Sequence, residues 1–547
     1  MSATELVLAP LQDRIADAVH RVETLESSYA TITVPQLISM RARTHPSNIA
    51  IEIFERDERA TYEEMDRWSN RYANALRAFG VRKGDRVAVM LPNRIEFPLL
   101  WFACAKLGAV LVGINMRYTS REVEYVLGDT QARFAFVDES AWPVVSTIES
   151  WPKDLARERV IIVGQPVDGN VATLDRFLET AGDSPVEDEV RPEDVLVIAS
   201  TSGTTGFPKG VPLTHDSFAM GTYILACMDN QRYNRYLCWN PFFYTWGQWQ
   251  ILGTYWRGAT LYAAQRLSSR RFVDWIEKYR IEWCAMPKPI AESIDGVPTC
   301  LKGVLRLDGW SVDTIRRFRE RYGVHSHGHG YAMTEIGCGT IFFDLPETQD
   351  ASFVGLRAPF RELRLVNEDG GPAPVGEVGE LWVKGRAIFT GYWNQSEANS
   401  KLFERDWFKT GDLLRCDANG FYWFAGRKKD MIRRSSENIA AGEVEAIIRE
   451  LPEIADVAAV PVPDAVRGEE IKICVELKEG LAPADLPVER ILEHARARLA
   501  RFKVPRYIAF IPALPRTVAS NKVLKRELAA TSEPLAGAYD SEEKRWR

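Results

Sequence analysis

The sequence predicts an α/β protein with parallel strands, a β-rich subdomain and a small α+β region toward its C-terminal end. Three observations predict it. Residues 30 to 180 alternate helical and strand patterns, β-rich segments separated by turns lie near 380–384 and 421–424, and a new α+β pattern begins beyond the charged run Gly426-Arg427-Lys428-Lys429-Asp430. At 547 residues, length alone indicates about three or four folding units.

The elements follow in order. Residues 62–79 form an amphipathic helix that stops at Gly80, the position of a C-terminal helix glycine. Residues 86–91 are a short apolar strand bounded by charge and by Pro92. Residues 97–114 are the most apolar stretch, yet Lys106 interrupts them and Gly108 follows. They read as a buried helix ending near Leu107 and then a strand at 109–112, not as a membrane span. Strand–helix–strand repetition of this kind implies crossover helices between parallel strands. Residues 195–199 are a fully buried strand that enters a loop rich in glycine and hydroxyl groups. Beyond 426, a helix at 443–450, a strand at 471–477 and a helix at 488–499 outline a separate domain behind a charged hinge. The polar tail from about Ala529 is expected to be mobile.

Composition narrows the function. Hydrophobic residues are 46% and charged residues 26%, an ordinary globular mix that can bury large cores. Lys plus Arg is 69 against 75 Asp plus Glu, a formal charge of −6, which argues against a nucleic-acid partner. A bound anion would then need positive charge placed locally. Eight cysteines without a C-x-x-C spacing give no support to zinc-ribbon or thioredoxin readings and fit reduced thiols in a cytosolic protein. Glu5, Asp13, Arg14, Asp17 and Glu23 break up any apolar leader in the first 30 residues. The sixteen tryptophans are the one excess.

The strongest chemical signal is Ser200-Thr201-Ser202-Gly203-Thr204-Thr205-Gly206-Phe207-Pro208-Lys209-Gly210. Its glycines let the backbone approach a ligand closely, and consecutive N–H groups make an anion nest. Ser200, Thr201, Ser202, Thr204 and Thr205 add hydroxyl donors, and Lys209 adds a mobile positive charge. The loop is a phosphate cradle but not a Walker A loop, because the glycine-to-lysine spacing differs and no Ser or Thr follows the lysine.

With this loop and the segments below, the chain resembles the adenylate-forming enzymes, which include acyl-CoA synthetases, from about residue 30 to 528. Tyr331-Ala332-Met333-Thr334-Glu335 is similar to the family's Y-G-x-T-E segment, Thr410-Gly411-Asp412 to its T-G-D, and Gly426-Arg427 to its G-R. The resemblance implies that Gly330 and Tyr331 bind the nucleotide, with Tyr331 stacked on adenine. It implies further that Thr334 contacts the α-phosphate, Glu335 holds Mg²⁺, and Asp412 and Arg427 reach the ribose. Lys429 falls at the family's hinge. Pro515 to Val523 resembles the catalytic motif P-K/R-T-x-x-G-K, with Lys522 as the catalytic lysine, one residue late and with Asn521 in place of Gly.

The departures matter too. Tyr244 stands where the family usually has His, in a segment that includes Trp246 and Gly247. Leu307-Asp308-Gly309-Trp310-Ser311 replaces S-G-G-A-P, and Ser435-Ser436-Glu437-Asn438 replaces the G-G-E-N of the pantetheine channel. By resemblance, Tyr244, Trp246, Gly247, Gly309 and Trp310 line the acyl pocket. An aromatic, arylalkanoic or medium-chain acid is favoured, with a carnitine-type acid ranked second because aromatic cages hold quaternary ammonium groups.

The resemblance therefore implies a large N-terminal domain (1–428) of two doubly wound α/β subdomains plus a β subdomain, and a small mobile α+β domain (429–547). It implies a cytoplasmic acid–CoA ligase (AMP-forming) that uses ATP, Mg²⁺ and coenzyme A on a small carboxylic acid, without nucleic acid or a membrane span. A homodimer is the candidate assembly. The alternatives are a stand-alone adenylating enzyme that serves a carrier protein or an amine, and a non-catalytic nucleotide-binding regulator. Two weaker patterns remain. His325, His327 and His329 alternate as on one strand face, where hydrogen-bonded imidazoles are favoured over a metal site. Gly182-Asp183-Ser184 reads as a loop, not as a carrier attachment site.

Overall fold

The computed structural model describes residues 10–547 except 168–170, 187, 202–207, 228–232, 308–309, 329, 342–351, 435–436, 465–466, 500, 518–521 and 531–532. The chain divides into two compact units. The first comprises residues 1–349, 355–362 and 384–406, and the second residues 350–354, 363–383 and 407–547. The charged run at 426–430, expected as a domain boundary at 428/429, falls within the second of these units.

The first unit holds two seven-stranded sheets. One runs in spatial order Ala172–Thr173, Val160–Val163, Phe134–Asp138, Arg86–Met90, Val110–Gly113, Val195–Thr201 and Lys209–Thr214. All its pairings are parallel except the last, an antiparallel hairpin. The other runs His325–His327, Gly303–Leu307, Trp283–Pro287, Arg235–Cys238, Thr260–Ala263, Ile49–Ile53 and Glu58–Thr61, again parallel until a terminal antiparallel pair. Parallel strands are covered on both faces, which is why they read as continuous apolar runs. The doubly wound α/β reading holds.

Local signals set the helix ends. Thr61 and Glu64 form a capping box at the start of Tyr62–Ala78, and Gly80 follows with φ +100°. The apolar helix is Glu96–Leu107, closed by Gly108 at φ +64°. Lys106 is buried there, its ammonium donating to Asp66 Oδ1 at 2.8 Å and Asn70 Oδ1 at 2.6 Å. Among the described residues no helix is long and apolar enough to cross a membrane. All eight cysteines are free, and Cys104, Cys238, Cys284, Cys338 and Cys474 are buried.

In the second unit, Trp407–Cys416 pairs antiparallel with Val378–Gly385 and with Tyr422–Arg427. A further mixed sheet contains Met431–Arg434, Glu437–Ala440, Ile454–Asp464, Gly468–Leu477 and Tyr507–Phe510. Helices Ala441–Ile448 and Val488–Arg498 contribute Val444, Ile448, Ile491 and Leu492 to its core.

The expectation of a mobile tail is corrected. Ala538–Asp540 adds an antiparallel strand to Tyr507–Phe510, and Arg545–Trp546 pairs back onto it. The physical reason is one buried charge. Asp540 is fully buried, receives Arg506 Nε at 3.2 Å and Arg547 Nη2 at 2.7 Å, and accepts the backbone N–H of Glu542 at 3.0 Å. Burial by itself would raise its pKa, but these donors outweigh it and hold the carboxyl far below the usual carboxylate range.

Asp540→Ala is expected to cost about 3 kcal/mol, because it leaves two arginines without their buried partner. The carboxyl's contribution is complete above the unfolded pKa of about 4 and is lost as pH falls below it, since the unfolded chain takes the proton first. Urea unfolding of wild type and variant at pH 7 and at pH 3 checks both points. A gap between them that does not shrink at low pH contradicts the assignment.

Candidate active site

The strand Val195–Thr201 returns as Lys209–Thr214, with Ser200 opposite Gly210 and Thr201 opposite Lys209. The phosphate-cradle segment is thus the connection of an edge hairpin. Ser202, Gly203, Thr204, Thr205 and Gly206 lie outside the described residues. Gly210 is required by close approach: a Cβ there would stand 2.9 Å from Ile198 Cγ2 and 3.2 Å from Trp393 Cβ. Its carbonyl accepts the Trp393 N–H at 2.8 Å. That contact brings the neighbouring Tyr392 ring beneath Lys209, whose ammonium is 4.8 Å from the ring centroid.

The second element is a short hairpin, with Ala332 opposite Cys338 and Met333 opposite Gly337. Thr334 and Glu335 occupy its tip. Glu335 is buried, and its Oε1 accepts the Tyr392 hydroxyl at 2.8 Å. Burial, then the neighbouring Glu335 charge, raises the Tyr392 pKa well above the ordinary tyrosine range, so this hydroxyl stays a donor.

The hairpin is braced from behind by Arg361. The guanidinium donates to the Ile336 carbonyl at 2.6 and 3.0 Å and to the Arg386 carbonyl at 2.7 Å. Burial lowers the Arg361 pKa to about 10. The Phe389 N–H adds a bond to the Glu335 carbonyl at 2.8 Å. Just before the hairpin, Tyr331 is buried and its N–H donates to Thr340 Oγ1 at 2.7 Å. Gly330 packs so closely that a Cβ would stand 2.3 Å from the Thr340 carbonyl oxygen.

The aromatic segment forms the start of helix Thr245–Arg257, with Tyr244 as its N-terminal cap. Asn115 Nδ2 donates to the Tyr244 hydroxyl at 2.9 Å. Gly247 admits no side chain, because a Cβ would meet the Pro241 carbonyl oxygen at 2.3 Å. Trp246 and Trp249 stand with ring centroids 6.4 Å apart, and Trp249 lies 3.4 Å from where a Gly337 Cβ would be. The helix therefore abuts the hairpin that carries Glu335. Trp310 is placed differently. It is buried in a core cluster, donates to the Met286 carbonyl at 3.2 Å and packs 4.6 Å from Phe318. Gly309 lies outside the described residues.

In the second unit, Asp412 and Arg427 face each other across adjacent strands, with Arg427 Nε 3.3 Å from Asp412 Oδ1. Within the strand Trp407–Cys416, at a shift of register against Val378–Gly385, Thr410 accepts the Asp412 N–H at 3.0 Å while donating to the Leu381 carbonyl at 2.7 Å. Lys429 sits in a single 3₁₀ turn, Lys428–Asp430, between two strands. Lys522 is exposed on a loop closed at its base. Thr517 N–H donates to the Lys522 carbonyl at 2.8 Å, and the Lys522 N–H donates to Thr517 Oγ1 at 3.1 Å. Residues 518–520, between these two, lie outside the described residues. Asn521, Ser435 and Ser436 lie outside the described residues.

Of the three alternating histidines, His325 and His327 lie on the strand His325–His327, and His329 lies outside the described residues. His327 Nε2 accepts Trp283 Nε1–H at 3.2 Å, and the His325 ring is 5.4 Å away on the same strand face. Among the described residues no cluster of three or more His, Cys, Asp or Glu could hold a metal ion. Glu335 can supply one hard carboxylate oxygen to Mg²⁺, an ion that usually takes few protein ligands beside phosphates and water. The donor set therefore fits a metal that arrives with the nucleotide.

Sequence reasoning missed Tyr392, Arg361 and Trp249. Only Tyr392 leaves a local signal. Gly391 has φ +138° and a Cβ there would meet the Asn399 side chain at 2.8 Å, so a glycine precedes the aromatic ring for a steric reason.

A family profile described as AMP-binding enzyme matches residues 38–393, and one described as AMP-binding enzyme C-terminal domain matches residues 443–521. The chain is 30% identical to the long-chain-fatty-acid–CoA ligase FadD13 of Mycobacterium tuberculosis (strain CDC 1551 / Oshkosh), over 90% of this chain and 97% of that one. It is 32% identical to the crotonobetaine/carnitine–CoA ligase of Escherichia coli O9:H4 (strain HS), over 86% and 93%. Among solved structures, the Mycobacterium tuberculosis fatty acyl CoA synthetase superposes with a TM-score of 0.71 at 28% identity, covering 91% of this chain and 97% of that one.

Proposed function

This chain belongs to the AMP-binding enzyme family, and from that premise we propose that it is an AMP-forming acid–CoA ligase. The observation that carries the proposal is the pairing of Lys209 and Glu335 about one residue, Tyr392, beside the phosphate-cradle hairpin. One charge suits phosphate and the other a phosphate-bound metal.

In the first half-reaction a carboxylate oxygen of the acid attacks the α-phosphorus of ATP. The bond to the β-phosphate oxygen breaks, pyrophosphate leaves, and an acyl-adenylate remains. A carboxylate is already a nucleophile at pH 7, so the site needs charge and alignment more than a general base. Lys209 and the hydroxyl-rich loop hold the triphosphate, Thr334 and Lys522 act at the α-phosphate and the incoming carboxylate, and Asp412 and Arg427 hold the ribose. Glu335 would hold Mg²⁺, which would offset triphosphate charge when bound. In the second half-reaction the CoA sulfur attacks the acyl carbon, AMP leaves, and the thiol proton passes to solvent. The hinge role of Lys429 belongs to the exchange between the two steps. A cytoplasmic setting suits the free thiols.

For the acid, Tyr244, Trp246 and Trp249 favour an aromatic, arylalkanoic or medium-chain substrate. A betaine acid is the second reading, because the same aromatic faces attract a quaternary ammonium group. Benzoate-like acids are expected to raise the melting temperature more than carnitine-like acids in a thermal-shift screen with ATP. The opposite order would reverse the assignment.

The activity is tested by pyrophosphate exchange with a panel of acids, followed by CoA. Exchange and thioester formation with the same acid are expected. Exchange without thioester would favour an adenylating enzyme with another acceptor. No exchange with any acid would leave nucleotide binding alone.

A further inference from the structure

We infer that Tyr392 is a positioning residue for nucleotide binding, tying the carboxylate of Glu335 to the ammonium of Lys209 through the two ends of one rigid side chain. The inference rests on the reading of Lys209 as the phosphate cation and Glu335 as the metal carboxylate.

Two opposite charges in one site tend to collapse onto each other, because attraction is strong where water is scarce. Such an ion pair would be useless for binding a triphosphate and its metal. Tyr392 offers each charge a separate partner. The electron-rich ring face carries the Lys209 ammonium at 4.8 Å, a cation–π contact. The hydroxyl at the far end of the same ring donates to Glu335 Oε1 at 2.8 Å. The ring's length therefore sets the spacing between the two charges.

Tyr392 can do this because its backbone is fixed on several sides. Its N–H donates to Asn399 Oδ1 at 2.7 Å, and Asn399 Nδ2 donates to its carbonyl at 2.8 Å. The next residue is bonded to the Gly210 carbonyl at 2.8 Å, on the strand that carries Lys209. The Phe389 N–H is bonded to the Glu335 carbonyl at 2.8 Å, and its ring lies 5.2 Å from Tyr392. Both partners are thus referenced to the same short segment. Residues that orient a metal-binding carboxylate tune its affinity without touching the metal.

Two variants separate the two ends. Tyr392→Phe keeps the ring face and removes the hydroxyl, whereas Tyr392→Leu removes both. The readout is ATP binding by isothermal titration calorimetry, first in EDTA and then across a Mg²⁺ series, with no acid or CoA present. Tyr392→Phe is expected to bind ATP in EDTA within about twofold of wild type. Its half-saturating Mg²⁺ concentration should rise about tenfold. Tyr392→Leu should show the same Mg²⁺ shift and, in addition, about a fivefold weaker affinity in EDTA.

An unchanged or lowered Mg²⁺ requirement in Tyr392→Phe would overturn the inference, as would equal ATP affinities in EDTA for Tyr392→Leu and wild type. If Tyr392→Leu does not fold, the Mg²⁺ series on Tyr392→Phe still decides. Because no acid is used, the outcome is independent of the ligase reading. A protein that binds ATP as expected but exchanges pyrophosphate with no acid would lose the ligase assignment and keep this one.

Discussion

Lys522→Ala is expected to slow acyl-adenylate formation by roughly a hundred- to a thousandfold, the scale of losing one preorganised charge contact in a transition state. Two anions meet in this step, the carboxylate and the α-phosphate, and a mobile ammonium lowers the cost of their approach. The same variant should turn a supplied acyl-adenylate and CoA into thioester at close to the wild-type rate. That second step releases AMP and builds no new charge at the position where the lysine is proposed to act. Single-turnover assays of each half-reaction check this. Equal losses in both would mean that Lys522 matters for folding or for general nucleotide binding. The loop geometry makes a folding effect the less expected outcome, because Thr517 and the Lys522 backbone close the loop without the side chain.

Glu335→Gln is expected to reduce pyrophosphate exchange by roughly a hundredfold and to raise the Mg²⁺ requirement. The substitution is nearly isosteric, and its amide oxygen can still accept the Tyr392 hydroxyl. The hairpin should remain in place, since Arg361 and Phe389 hold it through backbone carbonyls. What is lost is the negative charge. Exchange measured across a Mg²⁺ series separates the two effects. Unchanged exchange at low Mg²⁺ would remove Glu335 from the metal role.

Much of the fold was legible because its signals are local. The expected strand at 86–91 and helix at 97–107 are found as Arg86–Met90 and Glu96–Leu107, set by apolar runs and by Gly108. The N-terminal helix Leu11–Ser28 was not anticipated, although Ile15, Ala18 and Val22 have helical spacing and are buried. The charges interspersed in that stretch hide the helical spacing of its three buried residues. The tail was misjudged because Asp540 looks like any polar residue until Arg506, 34 positions earlier, is brought to it. Tyr392 was missed for the same reason. Its two partners are distant in sequence, 57 positions away for Glu335, and no periodicity encodes such a meeting. For Trp310 the motif position implies a pocket wall, and its contacts with Met286 and Phe318 are partners that no local pattern encodes.

The buried cysteines have a chemical consequence for an enzyme of this kind. An acyl-adenylate is an activated anhydride and will acylate any thiolate within reach, including those of the protein that made it. Only the thiolate is reactive. Burial pushes the thiols of Cys104 and Cys238 up to about 12 and that of Cys338 up to about 11. It raises Cys227, Cys284, Cys416 and Cys474 as well. Near neutral pH a thiol at about 12 is ionised in roughly one molecule in a hundred thousand. These seven thiols are thereby poor targets for an acyl-adenylate, which favours an incoming cofactor thiol over them as the acceptor.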